Sequence, residues 1–498
     1  MHSPLPAPAH VPLRTTRPHQ APALPQGLRS YEYAWPQGDL ADSPHWRPAD
    51  ASGLAYERPM PEPLDDVAND SRWPAFFPSP ISIVTARSGD RVHVEKVVGA
   101  SIVNRFPYIV ALSFCRTSLS HRHYERREFM DVLESGGKVA VQFLPPGQAL
   151  DSVMNAIASI PDDNGAGRFR SAGVPTRPGK TNDSPIFEAA YLAYEAALVK
   201  PGKDFGGEPI FEQPWTDVGS HRVYYLEIQA IQLRQDIAEG RSQICWRSVP
   251  TWTPERPVQT PADYERYRTG GGGYEKGYSA DYRFPSLNTI GFAHDAVENG
   301  FAIKFLAPLA EDQVEVDNDR ARWPCFFPSS LGMITTWDED GVPNLMPCGS
   351  TTIISRQPMV ISPCVSYARI NDRYAPRQSL DVIRRTGRFG CGVPFLDDTV
   401  ISAIKYAGNV SLAANRNKVI ASGLEIEPRP WSPVLTALPV HFDCEVVGEV
   451  RLGTHIMFLG EVRRIELRAD VTAQNPLRWC PWADVIPVAA AEAPRVRG

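Results

Sequence analysis

The sequence predicts a mainly β protein with peripheral helices, built from two tandem copies of one small antiparallel barrel. Three observations lead there: an internal repeat, β-favoured segments separated by turn residues, and a length beyond a single core. At 498 residues the chain exceeds what one hydrophobic core ordinarily fills, so two or three domains are expected. A content of 43% hydrophobic and 22% charged residues suits a globular chain, and 48 prolines with 36 glycines weigh against an all-helical fold.

The repeat organises everything else. RWPAFFPSPISIVTA begins at Arg72 and RWPCFFPSSLGMITT at Arg322, an offset of 322 − 72 = 250. On that diagonal Thr85 meets Thr335, Gly99 meets Gly349, Tyr124 meets Tyr374, Arg127 meets Arg377 and Gly137 meets Gly387. Farther on, SPIFEAAYLAYEAALV from Ser184 matches SPVLTALPVHFDCEVV from Ser432, and GSHRVYYLEIQAI from Gly219 matches GTHIMFLGEVRRI from Gly453. The last offset has shrunk to 453 − 219 = 234, so the first copy carries extra residues, placed at 164–184 and 201–214 in surface loops. The resulting domain plan is a Pro-rich arm (1–60), a first, divergent barrel (61–250), a linker that packs on the domains (251–315), a second barrel (316–485) and a tail (486–498). The arm has little periodicity and reads as flexible or wrapping. The linker contains GGGG at 270–273, yet its later ENGFAIKFLAPLA is apolar enough to lie along a domain.

Within the second copy, SLGMITTW reads as a strand ending in the DEDG turn (338–341), which makes a hairpin. NLMPCGSTTIIS and PMVISPCV follow as strands, broken at Arg356-Gln357-Pro358. SLDVIRRTG reads as a short helix with Leu380, Val382 and Ile383 on its apolar side, Arg384 and Arg385 near its C-terminus, and Gly387 as its stop. FGCGVPF is a strand. DDTVISAIKYAG is a helix capped by Asp397 or Asp398. Two long strands joined at Gly453 complete a small barrel.

Composition excludes several function classes. A net charge of −6 gives no reason to expect nucleic acid or an anionic membrane as partner. No stretch of about 18 apolar residues occurs, and the N-terminus lacks a signal-like apolar region. Eight cysteines are scattered with no CxxC pair, which argues against zinc or iron–sulfur ligation and points to free thiols in the cytoplasm.

The ordered series FFPSS, ITTWDEDGVPN, PCGSTTIIS, PMVIS, SLDVIRRTGRFGCGVP, AGNVS, SGLEIEP and FDCEVVGEVRLGTHIMFLGEV resembles the flavin reductase-like FMN-binding split-barrel family over 326–467. The resemblance implies a flavin pocket at a subunit interface, which two copies in one chain can supply as an intramolecular pseudo-dimer. It implies FMN, with FAD as the alternative, and NADH or NADPH as reductant. The flavin carries the redox chemistry, so no protein nucleophile is required.

Residue by residue, Gly349, Ser350, Thr351 and Thr352 fall where the family runs along the flavin, and their hydroxyls suit the ring edge and ribityl chain. Ser366, Arg369, Asn371, Arg373, Arg377 and Ser379 fall where the family holds the phosphate. Guanidinium forks and a helix N-terminus fit phosphate oxygens there. A solvated basic loop is the competing reading of those arginines. His455 occupies the place of the histidine in the family's glycine–acid–histidine motif, with Thr454 where the acid usually stands; it is the candidate catalytic residue, beside a purely structural alternative. His221 is its counterpart in the first copy.

Against Ser350-Thr351-Thr352 the first copy sets Ala100-Ser101-Ile102, losing two of three hydroxyls, so the second copy is expected to hold the better-preserved site. No metal site is expected: His121 and His123 alternate on a polar loop without cysteines or paired carboxylates nearby. Cys348 and Cys364 read as small buried hydrophobes. The functional expectation is a flavin-dependent oxidoreductase that reduces flavin for a partner monooxygenase or acts on a small organic substrate, with secondary metabolism as a setting. The alternative is a non-catalytic flavin carrier, sensor or scaffold with one decayed domain.

Overall fold

Strands in this chain alternate with short turns, and the turns fall where glycine relieves backbone strain. The computed structural model describes residues 28–32, 77, 81–104, 107–115, 128–159, 173–219, 221–246, 294–306, 331–356, 358–370, 373–394, 398–468 and 483–487. In the second copy, strand Gly332–Trp337 turns at Asp338, whose backbone N–H meets Val342 O at 3.0 Å, and pairs antiparallel with Pro343–Cys348. Gly341 takes φ +71° at that turn, a conformation side chains resist. The stretch 344–355, expected as one strand, is two: Pro343–Cys348 and Thr351–Arg356, separated by a bend at Gly349-Ser350.

Seven strands of the second copy lie in the order Pro343–Cys348, Gly332–Trp337, Arg388–Val393, Val440–Arg451, His455–Arg468, Met359–Ser366, Thr351–Arg356. The first copy repeats it: Arg91–Val97, Ser82–Ser88, Lys138–Phe143, Leu192–Leu198, His221–Arg234, Ile109–Cys115, Gly99–Asn104. Helix Gln378–Thr386 packs Leu380, Val382 and Ile383 inward and ends at Gly387, whose left-handed φ of 64° lets its N–H reach Ile383 O at 2.8 Å. Helix Asp398–Asn409 forms where expected, with Asp398 as its first residue; Asp397, the preceding residue, lies outside the described residues.

The extra residues of the first copy have a structural task. Around 180–182 the chain wraps the buried Glu195 carboxylate, which accepts the N–H groups of Lys180 and Thr181 at 2.7 and 2.6 Å and the Thr181 hydroxyl at 2.9 Å. The Gln232 amide donates to its other oxygen at 2.7 Å. A carboxylate so placed is tolerated because its lone pairs are filled. The second insertion forms a short ribbon, Gly202–Lys203 paired with Pro209–Ile210.

The segments ahead of the two barrels change places. Phe301–Phe305, which precedes the second barrel, pairs with the first copy's last strand, Phe301 against Arg234. Leu28–Glu32, which precedes the first barrel, pairs with the second copy's last strand, Leu28 against Arg468. Arg234 and Arg468 are repeat equivalents, 468 − 234 = 234, so the two additions occupy the same register. The Pro-rich arm therefore contains a strand, and within its described residues it wraps onto the opposite copy. Phe77, from the first copy's opening motif, is buried in the second copy's core with Ile334 and Phe389. At the other end Ser242–Trp246 pairs with Ala483–Pro487, centred on Ile244 and Val485.

Direct contact between copies is also extensive. Val103, Ala111 and Tyr225 of the first share one buried cluster with Ile354, Val360 and Met457 of the second. The Ser113 hydroxyl donates to Ile354 O at 2.5 Å.

Candidate functional site

Strand pairing shifts the sequence comparison at the hydroxyl-bearing strand by one residue. Ala100 pairs with Leu112, and Thr351 pairs with Pro363; the partners differ by 363 − 112 = 251, not 250. The bend at Gly349-Ser350 has two residues between strands where the first copy has Val98 alone, and it absorbs the extra one. Thr352 therefore corresponds to Ser101, and Ser355 to Asn104. The hydroxyl at the Thr352 position is kept in both copies, a correction to the ungapped alignment.

Along this strand, alternate side chains face the barrel interior and the other copy. Thr351 points inward: a Cβ on Gly332 would touch its side chain, and its hydroxyl donates to Cys348 O at 2.9 Å. That hydroxyl is already engaged. Thr352 is also buried, and its Oγ1 has no hydrogen-bond partner among the described residues. Gly349 and Ser350 remain partly exposed at the bend, and Ser350 O accepts the Cys364 N–H at 2.9 Å. Two residues beyond Cys364, Ser366 pairs in register with His455. Hydroxyl strand, Ser366 and His455 thus follow one another across three adjacent strands.

Arg377 is the N-cap of helix Gln378–Thr386 and exposed, with extended φ −71° and ψ 147°. Ser379, in the first turn, is buried, and its Oγ accepts the Asn344 amide at 2.9 Å. The charge of Arg377 reaches two neighbours, the Cys348 thiol beside the bend and the Lys418 ammonium. Lys418 is only 4% exposed, and desolvation together with Arg377 brings its pKa down to about 8. Arg377 at the helix N-terminus, acting on a second cation, makes this a region of positive potential. Arg369 and Arg373 lie on a small hairpin, Ala368–Ile370 against Arg373–Ala375, just ahead of that helix. Asn371 lies outside the described residues.

Cys348, Cys364, Cys391 and Cys444 are buried free thiols, and burial pushes each one's pKa up. They pack as small hydrophobes. No group of three or more metal-binding side chains occurs among the described residues, and His121 and His123 lie outside them. No helix among the described residues is long and apolar enough to cross a membrane.

The family profile described as "Flavin reductase like domain" matches residues 75–249 and again 324–482, about two thirds of the chain. The chain belongs to that family. Its two matches coincide with the two copies of the repeat. Among solved structures, this flavin reductase-like chain is similar to an FMN-binding protein from Thermus thermophilus with bound p-hydroxybenzaldehyde, at 19% identity over 32% of this chain and 75% of that one, TM-score 0.25. An NADH:FAD oxidoreductase from Streptomyces globisporus matches at 17% identity over 34% and 83%, TM-score 0.25. Nitrilotriacetate monooxygenase component B from Bacillus cereus matches at 19% over 35% and 86%, TM-score 0.29. No curated protein sequence matches the chain.

The residues present are of the kinds a flavin's hydroxyl chain and phosphate require: Thr352 has a buried hydroxyl without a partner among the described residues, the bend at Gly349-Ser350 is partly exposed, and the helix start carries Arg377. Sequence reasoning missed Lys418. It is 418 − 377 = 41 residues beyond Arg377 and belongs to no motif; only the fold makes them neighbours.

Proposed function

We propose that the chain is an FMN-dependent oxidoreductase in which NADH or NADPH reduces flavin held in the second copy's pocket. The reduced flavin serves a partner monooxygenase or a small organic substrate. The observation that carries the reading is the exposed Arg377 at the N-terminus of helix Gln378–Thr386, whose charge also acts on the buried Lys418 ammonium and on the Cys348 thiol beside the Gly349-Ser350 bend. Like charges brought together under a desolvation penalty are relieved by a bound anion, and a phosphate is the anion the family's cofactor supplies.

In this reading Arg377, Lys418, Ser379 and the first backbone amides of the helix hold the phosphate, with Arg369, Asn371 and Arg373 flanking it. Gly349, Ser350 and Thr352 face the ribityl chain and ring, and Thr351 contributes through its backbone. Ser366 and His455 line the face from which the nicotinamide approaches. A flavin held there would supply the hydride-accepting and electron-transferring chemistry, while the protein's part is to orient both partners and exclude water. The reciprocal pairing of leading strands supports an intramolecular pseudo-dimer in which each copy completes the other.

The purified protein is expected to carry about one FMN per chain, bleached anaerobically by NADH or NADPH. Two FMN per chain would end the asymmetric reading. Flavin that nicotinamide never bleaches would make the protein a carrier or sensor, and absence of flavin binding would overturn both.

A further inference from the structure

Asn104, in the first copy, reaches the second copy's histidine through one hydroxyl. Its Nδ2 donates to Pro107 O at 2.7 Å. A carbonyl can only accept, so this bond fixes the orientation of the amide and leaves Oδ1 facing the other way. Oδ1 lies 2.9 Å from Thr454 Oγ1, across the junction between copies. An amide oxygen can only accept, so the single hydroxyl proton of Thr454 points at Asn104. Thr454 Oγ1 is also 2.9 Å from His455 Nδ1. With its proton committed, the hydroxyl can only accept there, so Nδ1 carries a hydrogen. All three side chains are buried, at 1%, 6% and 8% exposure, so water competes little with this chain of bonds.

We propose that Asn104 is a positioning residue that fixes His455 in the Nδ1–H tautomer, leaving Nε2 as the acceptor nitrogen of the neutral ring. The polarity runs one way because each group in the series is forced by the one before it. Val103 is the extra residue of a β-bulge between Ile102 and Asn104, and bulges re-aim the side chains that follow them. The same bulge in the second copy precedes Ser355, Asn104's structural counterpart. A serine hydroxyl both donates and accepts, so it cannot impose a direction on a histidine in this way. The proton position is thus dictated to the second copy by the first.

For its functional consequence this inference rests on the flavin reductase reading of the pocket. An acceptor Nε2 receives an N–H from a carboxamide, as the nicotinamide carries, and does not donate to its oxygen.

The test is ring-nitrogen NMR on full-length protein labelled with 15N-histidine, the His455 signals being assigned by their loss in His455→Gln. At a pH where the ring is neutral, the wild type should show a protonated Nδ1. Asn104→Leu and Thr454→Val should both move the population toward Nε2–H, while Thr454→Ser retains the wild-type pattern. Should Asn104→Leu fail to fold, Asn104→Ser decides in its place.

In turnover, the Asn104 variants should raise the KM for NADH or NADPH by about fivefold to tenfold, the scale of one hydrogen bond, with a smaller change in kcat. A wild-type ring carrying its proton on Nε2, or a tautomer unmoved in the Asn104 variants, would overturn the proposal whatever the turnover. Failure of nicotinamide to bleach the flavin would instead sink the reductase reading, and the ring-nitrogen result would still decide the role of Asn104.

Discussion

Lys418 is held where its charge is unwelcome, by burial and by Arg377. Its pKa in the folded chain lies below the unfolded value of about 10.4, so the unfolded state binds more protons between about pH 8 and 10.4. The contribution of this group to stability therefore rises with pH across that window. Phosphate binding moves the opposite way, because the ammonium that would pair with it is lost above about pH 8. FMN affinity, followed by fluorescence quenching, should weaken as pH rises through that value, and Lys418→Met should flatten the step. At neutral pH the same substitution should weaken FMN binding by about 10- to 100-fold, the scale of one charge-assisted hydrogen bond. The flavin-free variant should be at least as stable as wild type, since a buried charge has been replaced by a side chain of similar length. Residue types and motif order made the hydroxyl strand, the arginine loop and His455 visible in the sequence. Lys418 and Asn104 were not visible, because what matters in each is a neighbour distant in the chain.

Helix Gln378–Thr386 was legible from its apolar spacing and from Gly387, and both features appear where expected. Replacing Gly387 with alanine forces a side chain into the left-handed region and should cost about 1 kcal/mol in chemical denaturation, with the slope unchanged. Gly460 is a sterner case, since a Cβ there would drive into the Phe389 ring from the neighbouring core. Gly460→Ala is expected to destabilise by about 1 to 3 kcal/mol through overpacking. The bend at Gly349-Ser350 was not legible. Pro347 and Gly349 interrupt the stretch 344–355, but such residues inside a strand pattern mark a bulge as readily as a break, and only pairing with Met359–Ser366 shows where the register resets.

Across the whole molecule, the repeat announced two barrels, and both copies adopt one strand order. That each barrel borrows the other's leading strand could not be read from sequence, because the same local pattern serves a strand that stays at home or one that crosses. Deleting residues 1–32 should bare part of the edge of His455–Arg468, lower the melting temperature and promote self-association, as measured by differential scanning calorimetry and light scattering. A variant in which the first copy is weakened should lose flavin from the second as well, since Phe77 and Asn104 both reach across.

The crossing also sets an order of events on the ribosome. Leu28 is made early, but its partner Arg468 follows 468 − 28 = 440 residues later. At roughly 5–20 residues per second, that interval lasts about 20 to 90 s. Throughout it the leading strand is an unclaimed edge, while the first barrel's sheet can pair as soon as residue 305 emerges, with only Ala483–Pro487 still to join its core. A nascent chain arrested between those two points would present a first barrel with its sheet paired and a free leading strand trailing from it, the form most open to capture by chaperones or by a neighbouring polysome's second barrel.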